Sequence, residues 1–231
     1  MLTLHRVRAV RLTRAEDTEP LPGYAVLVDG DRLAAIGPYE ELLAAYGTAY
    51  GTGASERGAY GANAAYASGG CGTDAPPAGA EPGARPSIRV REWDGILTPG
   101  RHEPDGAALL EAAYHPDPRE AAELGTEPLT GAALAALPMT ETRWGASARR
   151  GLQRLLAAGT TSLAGPFTRP AVRTAVQRSG LRQTDHLEET EAPLSTSVAL
   201  APGAPADFAV FAPDGTCLAT VLSGRLVHRR R

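Results

Sequence analysis

Strand-forming runs occupy both ends of this chain and helical periodicity fills the middle, an order that constrains the fold more than any other feature. Near the start, Tyr24-Ala25-Val26-Leu27-Val28 and Arg32-Leu33-Ala34-Ala35-Ile36 flank Asp29-Gly30. Two β-prone runs around Asp-Gly predict a hairpin, because the tight turn needs a positive φ that glycine supplies without steric cost. Leu2, Leu4, Val7, Val10 and Leu12 alternate loosely with polar residues and predict strand ahead of it. At the other end, Asp207 to Phe211, Thr216 to Leu222 and Arg225 to His228 read as strands between turns at Pro213-Asp214-Gly215 and Ser223-Gly224. Ser87 to Arg91 alternates as one more strand and leads through Trp93 to Leu97-Thr98-Pro99-Gly100. Unpaired strand edges invite aggregation, so the terminal strands are expected to pair with each other.

The middle reads as helices over 39–46, 107–114, 119–124 and 129–137, with Gly47 stopping the first. The strongest runs from a Thr140 cap to Ala158, with Trp144, Ala148, Leu152, Leu155 and Leu156 on one stripe. Gly159 stops it, and Thr160 to Ala164 reads as a strand. Thr168 is expected to cap a second helix, with Pro170 in its first turn and Gly180 past its end. Two stretches depart from any apolar period. Residues 47–86 are mostly Gly, Ala, Ser, Tyr and Pro, the composition of a disordered insertion. Residues 183–200, with Glu188, Glu189 and Glu191 close together, read as a solvated acidic linker.

Composition removes several function classes. A 43% hydrophobic content and a net charge of −3 describe a globular chain without the field that recruits nucleic acid or an acidic membrane surface. Every cation among the 23 Lys and Arg positions is arginine, so no Schiff-base or phosphate-loop lysine exists. Cys71 and Cys217 have no metal-type spacing, which fits a reducing compartment without disulfides. His5, Arg6 and Arg8 interrupt the first ten residues, and no eighteen-residue apolar run occurs. A cytoplasmic location is expected.

Several of these segments, taken in order, resemble one known family. Val26 to Gly37 (VLVDGDRLAAIG) is similar to the opening hairpin of amidohydrolase-superfamily enzymes. Trp93 to Gly100 resembles the segment by which those enzymes pass from a β-sandwich into a (β/α)8 barrel, and Arg150 to Ala164 (RGLQRLLAAGTTSLA) resembles a barrel helix and the strand after it. Ala201 to Phe211 (APGAPADFAVF) and Ser223 to Val227 resemble the return into the sandwich and its last hairpin. Imidazolonepropionases and aminodeoxyfutalosine deaminases are the most similar members.

The resemblance implies an α/β chain. Residues 1–46, 87–100 and 201–231 would form a composite β-sandwich, and 101–182 a helical subdomain, a truncated remnant of the barrel that keeps a strand or two. It also implies hydrolysis of non-peptide C–N bonds by a metal-bound water. The family's first two ligands, a His-x-His pair just beyond the Pro-Gly, carry over onto Asp105 and Ala107. Aspartate can ligate a metal and alanine cannot. The later ligands would fall near residues 180–200, where the chain has one histidine, His186.

The densest set of possible ligands is His102, Asp105 and His115, a donor set suited to zinc or iron, but its spacing matches no metal motif. Solvated Pro-rich turns are the simpler expectation there. His186, beside Asp185 and Glu188, is expected on a surface linker. Arg143, Arg149, Arg150 and Arg154 are expected on a solvated face opposite the Trp144 stripe, and no G-x-S-x-G nucleophile elbow is present. The expectation is therefore a binding, scaffold or accessory protein without metal-dependent activity of its own, its catalytic residues unknown and no metal or cofactor expected. The alternative is a metal-dependent C–N hydrolase with a rebuilt site or one completed by a partner chain. A barrel remnant leaves surface to cover, so a homodimer or partner subunit is expected, with neither nucleic acid nor membrane as partner.

Overall fold

The computed structural model describes residues 2–15, 18–47, 88–184 and 199–230. The insertion read at 47–86 thus lies outside the described residues apart from Gly47, and so do residues 185–198 of the acidic linker, His186 among them. The N-terminal part gives strands β1 (Leu2–Arg6), β2 (Ala9–Val10), β3 (Leu21–Pro22), β4 (Tyr24–Asp29) and β5 (Arg32–Pro38), then helix α1 (Tyr39–Tyr46). After the insertion come β6 (Arg89–Glu92), β7 (Ile96–Pro99) and β8 (Arg101–Glu103). A helical stretch follows: α2 (Gly106–Glu111), a 3₁₀ turn at Pro118–Glu120, α3 (Ala121–Leu124), α4 (Gly131–Ala135) and α5 (Glu141–Ala157). Then come β9 (Thr160–Ala164), α6 (Pro170–Ser179), β10 (Arg182–Thr184), β11 (Phe208–Phe211), β12 (Cys217–Leu222) and β13 (Arg225–Arg229).

The Asp-Gly hairpin forms as the sequence predicts: Asp29 pairs with Arg32, and Gly30 takes φ +59° between them. It belongs to a four-stranded sheet ordered β5-β4-β1-β6, which faces a six-stranded sheet ordered β13-β12-β11-β7-β2-β3. Val26, Val28 and Leu33 from the first sheet share one core with Leu97, Phe208, Val210, Ala219 and Val221 from the second. Strand β4 reads as a continuous apolar run because both its faces are buried. Its alternate residues Ala25 and Leu27 join Leu4 under α1, where Leu42 closes the outer face. The two ends meet directly at the antiparallel bridge between Arg32 of β5 and Pro205, while in the six-stranded sheet the terminal strands are not neighbours. Strand β7 separates them, parallel to β2 and antiparallel to β11, so a strand from mid-chain zips the two ends together.

The third sheet is three-stranded and wholly parallel, ordered β10-β9-β8. A strand or two was expected here, and three are present. Gln183 and Thr184, read as the start of the linker, belong to β10 and pair with Leu163 and Ala164. Helices α2, α5 and α6 cover one face of the sheet. Leu110, Ala148, Leu152, Val172, Ala175 and Val176 pack there with Leu163 of β9, and Leu222 of β12 reaches into the same cluster.

The caps explain the helix limits. Thr140 Oγ1 accepts from the Arg143 amide at 3.2 Å, the bond its position predicts for α5. Thr168 does not cap α6. Its hydroxyl donates to Glu111 at 2.8 Å, while the other Glu111 carboxylate oxygen accepts from the Arg169 amide at 2.6 Å. Pro170 has no N–H to cap, and the carboxylate of α2 stabilises the positive end of the α6 dipole instead. Two polar bonds clamp this subdomain to the sandwich: Thr220 Oγ1 donates to the Leu156 carbonyl of α5 at 2.6 Å, and Arg182 of β10 pairs with Asp207 at 2.5 Å. No described helix is long and apolar enough to cross a membrane.

Candidate functional site

Strand β8 leaves the sandwich directly after Pro99-Gly100. A side chain at Gly100 would collide with Thr161 of β9, so glycine lets the two strands start side by side. The chain then turns at once into α2. The Asp105 amide donates to Glu103 Oε1 at 3.0 Å, and Asp105 occupies the N-cap of α2 with an exposed carboxylate that makes no cap bond. Ala107 lies in the first turn and packs its methyl against the helical core. The two positions onto which the His-x-His pair carries over therefore hold one solvent-facing carboxylate and one methyl.

His102 is half-buried on β8, with Nδ1 3.0 Å from Ser162 Oγ. Register places His102 opposite Ser162, and Ser162 opposite Arg182, so the three form one row across the sheet. Successive strand residues point to opposite faces. Since Leu163 faces the helices, the row lies on the face away from them. Arg182 extends it to Asp207, whose Oδ1 accepts the Ser223 amide at 2.7 Å. Arg182 is half exposed, so solvent screening holds that ion pair to about 1 kcal/mol or less, and its role is to fix the sheet's position. The sequence reading missed Ser162 and Arg182; the available signal was the pairing of the Thr160 to Ala164 strand with whatever follows Gly100.

His115 lies on the helical side. It is 4% exposed, its Nε2 donates to the Leu109 carbonyl at 3.0 Å, and its amide donates to Ser147 Oγ at 2.9 Å. Gly151 of α5 makes room for the ring, since a Cβ there would stand 2.6 Å from Nε2. Burial holds this imidazole below the ordinary histidine range; Arg154 and Arg150 add to the effect and the Leu109 bond opposes it. His115 is thus a neutral packing group between α2 and α5. His102 and His115 stand on opposite faces of the third sheet, and Asp105 joins neither. Among the described residues no three His, Cys, Asp or Glu side chains are arranged to hold a metal ion, so this donor set does not fit a zinc or iron centre.

The arginines expected on a solvated face divide into two kinds. Arg143 and Arg150 fold over the buried Tyr114 ring, their guanidinium carbons 4.7 and 5.7 Å from its centre. Arg143 also reaches Glu120 at 2.8 Å and donates to the Tyr114 hydroxyl at 3.1 Å, while Arg150 reaches Asp117 at 3.3 Å and the His115 carbonyl at 2.8 Å. Tyr114 donates to Glu120, a bond that helps hold that carboxylate below its usual range. Burial, ahead of these bonds, pushes the phenol up. The network anchors the 114–120 segment on α5, with Asp117 and Glu120 forming a reciprocal capping box. It occupies the Tyr114 hydroxyl, the His115 carbonyl and the Asp117 carboxylate with structural bonds.

Residues 25–49, the hairpin and the helix after it, match the bacterial family described as the imidazolonepropionase-like composite domain. No curated protein matches the chain. Solved structures that match include A. niger ochratoxinase, 14% identical over 80% of this chain and 30% of its own, with a TM-score of 0.40. A zinc-bound adenosine deaminase from Xanthomonas campestris is 13% identical over 78% of this chain and 32% of its own, with a TM-score of 0.42. Helicobacter pylori aminofutalosine deaminase is 13% identical over 79% and 32%, with a TM-score of 0.36. The chain spans about a third of the length of these proteins. The sequence resemblance is borne out where the family match falls: residues 25–49 are similar to the imidazolonepropionase-like composite domain of bacteria.

Proposed function

We propose that this chain is an amidohydrolase-type protein without metal-dependent activity of its own, which serves as a cytoplasmic binding, scaffold or accessory protein. The observation that carries the reading is the start of α2, where Ala107 stands in place of a metal-ligating histidine and offers no donor atom. The separation of His102 from His115 by the thickness of the third sheet adds support. In this reading the alternation β8-α2…α5-β9-α6-β10 is the opening of a (β/α)8 barrel, cut short after its third strand. The outer edges of β8 and β10 are covered by a second copy or a partner subunit, because parallel sheets are otherwise found buried.

The test is a hydrolase assay on the full chain after loading with zinc or with iron, using an imidazolone and an aminofutalosine as substrates. The expected result is no ring opening and no ammonia release above buffer. Turnover that disappears in His102→Ala sinks the accessory reading and makes β8 the site of a rebuilt centre.

A further inference from the structure

Strand β6 is an outer strand of its sheet: it pairs in parallel with β1, and no described strand lies beyond it. The Trp93 amide donates to the Arg6 carbonyl at 3.0 Å. Alternate residues of a parallel ladder bond to the same neighbour, so Arg91, two residues earlier, also turns its backbone to β1. Val90 and Glu92 then turn their N–H and C=O groups outward. Sheets commonly blunt such an edge with proline or a bulge. The run Arg89-Val90-Arg91-Glu92 has no proline, and its pairing with β1 has no register shift. Its arginines guard the edge against cationic strands, yet they invite an acidic one.

The two faces of β6 differ in chemistry. Arg89, Arg91 and Trp93 alternate onto the inner face, because Arg91 stands opposite His5 and Trp93 stacks on the His5 ring with centroids 6.4 Å apart. Arg229 of β13, an outer strand of the facing sheet, brings a third guanidinium to 5.5 Å from the Trp93 ring centre. Arg89 and Arg229 are exposed, and none of the three arginines is in an ion pair among the described residues. Burial, with Arg89 and Arg229 adding to it, holds the Arg91 guanidinium below its ordinary range, so these cations repel one another at this mouth between the sheets. On the outer face, Val90 lies beside Leu4 and is 39% exposed. Helix α1 lies over β4 and β5, with β1 between them and β6. Glu92 is taken by Arg6 at 3.0 Å.

An open edge with cations on one face and an apolar side chain on the other fits an extended segment in which acidic and apolar residues alternate. Such a segment gains backbone bonds at Val90 and Glu92 and sends alternate side chains to opposite faces. We propose that β6 takes an extended acidic segment of a partner protein as a fifth strand of its sheet. Alternate carboxylates of that segment face Arg89, Arg91 and Arg229, and an apolar residue between them packs beside Val90. The inference rests on the accessory reading and gives it a surface. The two fail separately, because docking is read by binding and the accessory reading by turnover and metal content.

The probe is a labelled, end-blocked hexapeptide of alternating glutamate and valine, titrated into the full chain by fluorescence anisotropy. Saturable one-to-one binding that weakens as salt is raised is expected. Arg89→Glu/Arg91→Glu is expected to weaken it at least ~10-fold. Val90→Pro removes an outward N–H that the β1 ladder does not use, so it is expected to weaken binding as much while circular dichroism and melting stay unchanged. Arg119→Glu/Arg178→Glu, away from β6, is expected to have no effect. Of two peptides N-methylated on alternate amides, one is expected to lose binding and the other to keep it, since only one set faces the edge. Absent binding overturns the proposal, and so does binding that ignores Val90→Pro or is matched by a lysine-valine peptide. Tighter binding of a single-stranded oligonucleotide overturns it as well. A dimer that Val90→Pro splits in sedimentation would assign the edge to a second copy, and the partner proposal falls. It falls too if Glu188→Gln/Glu189→Gln/Glu191→Gln raises peptide affinity ~10-fold, which would make the chain's own acidic segment the occupant.

Discussion

Phe208→Ala is expected to lower the unfolding free energy by about 3–5 kcal/mol, a large part of the ~5–15 kcal/mol that holds a typical domain together. The ring is fully buried between the two sheets and meets His5 edge-on, with centroids 5.0 Å apart. Strand β11 carries it and is laddered on both sides, to β7 and to β12, so the backbone has little freedom to close the cavity. Urea unfolding checks it: the midpoint falls and the slope stays. Val227→Ala is the control, since Val227 is 40% exposed and the change is expected to stay within about 0.5 kcal/mol. A cost for Phe208→Ala below about 1 kcal/mol would mean that the sheets do not share the interior described.

Mild acid is expected to weaken the fold through His5. Burial, with Arg91 adding to it, pushes this imidazole from its ordinary 6.5 down to about 3. Trp93 Nε1 donates to its Nδ1 at 3.2 Å, a bond that requires the neutral ring. The unfolded chain therefore takes up a proton near pH 6.5, and the folded chain does not until about pH 3. Between those limits the unfolded state binds more protons, so stability rises with pH. The contribution is complete above pH 6.5 and is lost as pH falls toward 3; at pH 5 the loss is about 2 kcal/mol. His115, also held low by burial, pulls in the same direction. Comparing denaturant unfolding at pH 7 and pH 5 tests this. His5→Phe is expected to remove most of the difference, whatever it does to stability at pH 7. An undiminished difference in that variant would take His5 out of the explanation.

The sandwich was legible because its signals are local. Asp29-Gly30 between β-prone runs, and Thr140 ahead of a clean apolar stripe, each specify their element without help from distant residues. The third sheet was legible only in β9. Arg101-His102-Glu103 and Arg182-Gln183-Thr184 have neither apolar alternation nor β-branched density, and they are strands because Thr160 to Ala164 lies between them and supplies the ladder. For that reason His102 read as part of a solvated Pro-rich turn, with a metal ligand as the lesser alternative, although it stands on a strand against Ser162. Arg143 and Arg150 fall off the apolar stripe of α5 and so looked solvated; their partner, Tyr114, arrives from a segment whose path the periodicity does not give. The Asp117 to Glu120 capping box was visible as Asp-Pro-Arg-Glu, and it would have marked that segment as structural. The sequence feature that bears most directly on the proposed function is the methyl at Ala107.

Metal content of the purified full chain, measured after incubation with zinc or iron and exhaustive dialysis, tests most directly whether a hydrolytic metal centre exists. The expected result is far less than stoichiometric metal, unchanged in His102→Ala and His115→Ala. Stoichiometric zinc or iron that is lost in either variant contradicts it.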